Sequence, residues 1–103
     1  MNTPKMESKV WIGLATVVPH DENFDLGFGK KASVNILNWA FNRKDFANKV
    51  KSQLLKYGYD LNELENVKPF DFTLEYGDNL KELANIVLVN KTLQWGTFYT
   101  FDD

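Results

Sequence analysis

The chain has no cysteine, a single histidine and only three prolines among its 103 residues. Without thiols there are no disulfides, no thiolate metal ligands and no cysteine nucleophile. His20 is the one imidazole, and so the one natural candidate for acid–base work near neutral pH. No spacing ties it to a serine, threonine, lysine or carboxylate that it could activate. The composition suits a reducing compartment, and a cytoplasmic location is expected.

Long apolar runs are also missing. Met1 to Lys9 lacks the apolar stretch of a signal peptide. Leu14 to Pro19 is interrupted by Thr16 and is far too short to cross a bilayer. No membrane contact is expected. Charge of one sign is scarce as well: the net charge is −2, which gives no strong field for nucleic acid. The aromatic C-terminal stretch, Trp95 to Phe101, has no lysine or arginine and is followed by Asp102 and Asp103. A stacking platform for nucleic acid pairs its aromatics with basic residues, so nucleic acid is not an expected partner.

What is present is core material, with 44% hydrophobic and 15% aromatic residues. That is enough for one domain of this size to bury a sustaining interior. Residues 1–8 are polar and expected to be a disordered N-terminal segment, and residues 9–103 to form a single α+β domain. Lys9 to Val18 is apolar on both parities, the pattern of a strand covered on both faces. Pro19 ends it, and His20 to Lys31 forms a polar, glycine-bearing loop. Ala32 to Trp39 reads as a second strand.

The first helix has Asn42 as N-cap with Asp45 three residues on, a variant of the capping box. Its apolar stripe runs through Phe46, Ala47, Val50 and Leu54, and Gly58 suits the position just past its end. Tyr59 to Phe70 reads as a third strand whose alternation is poor. A second helix begins near Asp78 or Asn79, with capping-box spacing from Asn79 to Glu82. Its stripe is Leu80, Leu83, Ala84 and Val87, and Asn90 closes it. Leu93 to Phe101 alternates as a final strand, with Leu93, Trp95, Tyr99 and Phe101 on one side. The expectation is a two-layer sandwich in the order β-β-α-β-α-β: a four-stranded mixed sheet with two helices on one face.

The loop from His20 to Lys31 is the richest in polar side chains, and several motifs fail on it. Asp21, Asn23 and Asp25 alternate as in an EF-hand, but the sixth position is Leu26 and the twelfth Ala32, where glycine and a bidentate glutamate are required. Gly27 to Lys31 lacks the first glycine and the Ser/Thr of a P-loop and leads into a strand. What remains is a set of ligand-binding candidates, His20, Asp21, Asp25, Lys30 and Lys31, for a small-molecule or ion-binding domain, with or without enzymatic activity. No metal site and no cofactor is expected.

The charges are unevenly distributed. Residues 1–51 hold eight basic against five acidic side chains, and residues 52–103 hold four against nine. Asp60, Glu63, Glu65, Asp71 and Glu75 are therefore candidates for an acidic docking face toward a basic protein. In size and charge, though by no motif, the chain resembles the small acidic immunity proteins that mask the basic active sites of toxins. The leading expectation is a non-catalytic protein-binding domain. Its partner would be another protein, or a second copy added at an edge strand.

Overall fold

The structure, a computed structural model, describes residues 9–19, 31–74, 77 and 79–101. It contains β1 (Lys9–Pro19), β2 (Lys31–Ala40), α1 (Arg43–Lys56), β3 (Tyr59–Pro69), α2 (Leu80–Asn90), β4 (Gln94–Trp95) and β5 (Tyr99–Phe101). This is the expected α+β order, with the last strand broken in two. The sheet order is β3-β1-β2-β4, and β5 also pairs with β2.

Two details differ from expectation. Among the described residues every pairing is antiparallel, where a mixed sheet was expected. α1 carries the chain past β1 to its far side, so β2 and β3 run parallel to each other but never touch as neighbours. The helices also take opposite faces of the sheet. Phe46, Val50 and Leu54 of α1 pack on Ala15, Val17, Ala32, Val34 and Ile36. Leu80, Ala84 and Val87 of α2 pack on Val10, Ile12 and Leu37, joined by Phe70. The pairing of β1 with β2 is continuous from Lys9↔Ala40 to Val17↔Ala32, so alternate residues along each strand serve separate helices. The two-sided apolarity of β1 was the signal for this arrangement, and it does not fit a sheet with helices on one face alone. Each fully buried aliphatic or aromatic side chain contributes about 1.5–3 kcal/mol, and the two small cores share the load.

Gly13 lies on the α1 side, opposite Ile36. A Cβ there would sit 2.9 Å from Phe46 Cε2 and 3.2 Å from both Leu64 Cδ1 and Val67 Cγ2, so glycine is what lets α1 approach.

α1 is capped as its sequence implies. Asn42 Oδ1 accepts from the Asp45 amide at 2.8 Å. Asp45 reaches back to the Phe41 amide at 2.9 Å, one residue further out than in the standard box. Gly58 follows the helix at φ 88°. α2 is different. Asn79 sits in the left-handed region at φ 56° and its side chain makes no cap bond. The spacing to Glu82 is present, but this backbone does not have the extended conformation a side-chain cap uses.

β3 explains its own poor alternation. Its register on β1 slips twice, between Thr16 and Val17 and between Ile12 and Leu14. The extra residues are Asn62 and Asn66, and Asn66 has φ 55°. These are β-bulges. They return Tyr59, Leu61, Leu64 and Val67 to the α1 core despite spacings of two, three and three. The C-terminal stretch has a comparable break. Gly96 donates to the Asn35 carbonyl at 2.9 Å, and the interruption brings Phe98 beside Leu93 and Trp95 in the α1 core. Tyr99, expected to share their side, pairs with Ser33 on the other face and is 56% exposed.

Candidate interaction surface

The face that carries α2 is covered by that helix only toward one end. Past Leu37 and Ile12, the register sets three rows across the sheet. The first runs from Glu65 through Leu14 to Asn35. The second runs from Glu63 through Thr16 and Ser33 to Tyr99. The third joins Asp60 to Val18 and, one strand over, Lys31 to Phe101. The buried residues of α2 pack on Val10, Ile12 and Leu37 rather than on these rows, though Thr16, in the second, is buried. Leu80, the first residue of α2, borders them at a small hollow of about 200 Å³ that also touches Leu14, Asn35 and Lys68.

The bulges give this surface its chemistry. With an uninterrupted period of two, Asp60 could not share a face with Glu63 and Glu65. With one extra residue at Asn62, all three are exposed and lie on the α2 face along a single strand. Lys68 follows on the same face, opposite Ile12. The surface therefore holds an acidic margin on β3, half-buried Leu14 and Val18 with buried Thr16 between them, and the exposed ring of Tyr99.

β3 is also the edge of the sheet. Two bulges, three carboxylates and a terminal proline oppose addition of another strand there. Arg43 of α1 further occupies the edge by donating to the Val67 carbonyl at 3.2 Å. The opposite edge, expected as one long terminal strand, consists of two short pieces.

Three of the five acidic candidates, Asp60, Glu63 and Glu65, are thus brought together. Asp71 is not among them. It lies in the turn beyond β3, where the amide and hydroxyl of Thr73 donate to its Oδ1 at 2.9 and 2.6 Å. Those bonds hold its carboxyl below the ordinary value. Glu75 lies outside the described residues, as do His20, Asp21, Asp25 and Lys30. Of the loop candidates only Lys31 is placed, at the start of β2. Among the described residues no three His, Cys, Asp or Glu side chains group to hold a metal ion, and no helix is long and apolar enough to cross a membrane.

Sequence reading missed Tyr99 as a surface residue, because period two assigned it to the buried side of its strand. Leu14 and Val18 fall in a strand whose pattern predicts cover on both faces. Compared with protein families, with curated proteins and with solved structures, the chain matches none.

Proposed function

We propose that the chain is a non-catalytic protein-binding domain that presents the Asp60–Glu63–Glu65 margin, with Tyr99 across the same face, to a basic protein. The observation that carries this reading is the register of β3. Two bulges place three acidic side chains side by side on the half of the sheet that α2 leaves uncovered. Single exposed ion pairs contribute only about 0.2–1 kcal/mol. A fixed acidic row acts more on encounter rate and partner choice than on affinity, and a tyrosine on the same face supplies an aromatic anchor of the kind that dominates interface energetics. The face is favoured over the sheet edges, since both edges are short, bulged or charged.

The test is a binding screen against a panel of folded basic proteins with isoelectric points above about 9, measured at several ionic strengths. Wild type is compared with Glu63→Lys/Glu65→Lys and with the charge-matched control Asp71→Lys/Glu82→Lys. The expected result is one or more partners whose Kd rises with salt and whose binding is lost in the first variant and kept in the second. Equal losses in both variants would reduce the effect to net charge and overturn the reading.

A further inference from the structure

Away from that face, a cavity of about 620 Å³ opens at the other edge of the sheet. Pairing of β4 with β2 stops at Leu37, and the edge beyond is walled by one side of α1 and by the segment leaving α2. The walls carry neutral donors, among them Asn48 and Ser52 of α1 and Thr92, two lysines, Lys49 and Lys91, and the apolar surfaces of Trp39 and Leu93. Among the described residues no carboxylate lines the cavity. Lys49 is balanced by Asp45 at 3.2 Å. The Lys91 ammonium has no carboxylate partner among the described residues. It lies 4.0 Å from the centre of the Trp39 ring and donates to the Leu88 carbonyl at 3.0 Å.

The backbone of Lys91 adds an independent observation. It sits at φ 59° as the C-cap of α2, in the left-handed region where glycine carries no side-chain penalty. A lysine there offers what glycine cannot, an ammonium turned over Trp39 at the cavity rim. Lysine also suits a helix C-terminus electrostatically, so the structural and binding roles must be separated by experiment.

We propose that this cavity binds a small organic anion through a carboxylate, with Lys91 as the charged anchor and the Ser52, Asn48 and Thr92 side chains as neutral donors. Its volume is within the range of small-molecule sites. An ammonium already ordered by a ring and a carbonyl loses little freedom when it meets the anion.

Glutarate is the probe, titrated into ¹⁵N-labelled protein with sodium chloride of matched ionic strength as the control. Wild type is expected to show saturable shifts confined to amides around Ser52, Gln53 and Thr92. Lys91→Gly suits the left-handed backbone, so it should fold at least as stably while its Kd for glutarate rises about tenfold or more, as loss of a charged hydrogen bond implies. Lys91→Arg should retain most of the binding. The proposal is overturned if no saturable shifts occur, if Lys91→Gly binds like wild type, or if chloride produces the same shifts. It is equally overturned if the changes spread to the solvent-facing Lys44, Lys51 and Lys56.

Discussion

Lys49 donates to the backbone carbonyl of Trp39 at 2.9 Å, closing a strand edge that no neighbouring strand reaches. On the same residue the Trp39 amide donates to Asn38 Oδ1 at 2.8 Å. Both outward groups of Trp39 are thus satisfied by side chains, one from the adjacent residue and one from α1. This removes the unpaired donor and acceptor that would otherwise invite another strand.

Both bonds are part-buried, but the side chains that make them differ in exposure. Asn38 is 8% exposed, whereas Lys49 is partly solvated. Asn38→Ala is expected to destabilise the fold by about 1–3 kcal/mol, since it empties a buried side-chain position and leaves the part-buried Trp39 amide without its acceptor. Lys49→Met is expected to cost about 0.5–1.5 kcal/mol, because water can reach the carbonyl. Urea unfolding of the two variants gives the comparison, and the reverse ranking would contradict the geometry.

Gly13 offers a steric test. Gly13→Ala places a methyl against Phe46, Leu64 and Val67 and should destabilise by about 1–3 kcal/mol through overpacking. Combining it with Phe46→Leu should give a double-mutant cost below the sum of the two single costs. Strictly additive costs in denaturant melts would mean that the contact is not what excludes a side chain.

The two helix starts should respond in opposite ways. Asn42→Ala removes the bond to the Asp45 amide and should cost about 1 kcal/mol. Asn79 makes no such bond and stands at φ 56°, so Asn79→Gly should be neutral or stabilising by up to about 1 kcal/mol. Thermal melts of both variants would show the contrast.

Acid stability should reveal Asp45. Its carboxyl is held below the ordinary 3.8, first by the bond from the Phe41 amide and then by Lys49. A folded pKa below the unfolded one means that the native state binds fewer protons through this range. The contribution is therefore fully present above the ordinary value and is lost as pH falls through the lower, folded one. Asp71 acts in the same direction through Thr73. Asp45→Asn should flatten the fall of stability below about pH 4 while changing little of its slope above. An unchanged acid limb would exclude Asp45 as a contributor.

Much of the fold could be read from residue spacing where one physical rule dominated locally. α1 is the clearest case, with stripe, cap and terminal glycine agreeing. β1 announced its two-sided burial through apolar residues on both parities. β3 could not be read in this way, because a bulge is invisible to a count of alternate residues unless the partner strand is known. The same holds for the candidate face. The acidic character of Asp60, Glu63 and Glu65 was evident, but their convergence depends on register. The meeting of Lys91 with Trp39 depends on where β4 stops pairing, which no local pattern encodes. The C-terminal stretch misled for a related reason, since the break at Gly96 to Phe98 exchanges the sides of Phe98 and Tyr99.

The asparagine insertions in β3 are unpaired residues, so they shape the edge of the sheet more than they set which side chains face which way. Removing Asn62 would put Asp60 two residues from Glu63, so plain alternation would keep Asp60 beside Glu63 and leave Tyr59 and Leu61 toward α1. That extra residue is therefore not needed for the facing of its neighbours; what it adds is a local kink and stronger twist that carry the edge of the sheet away from another strand.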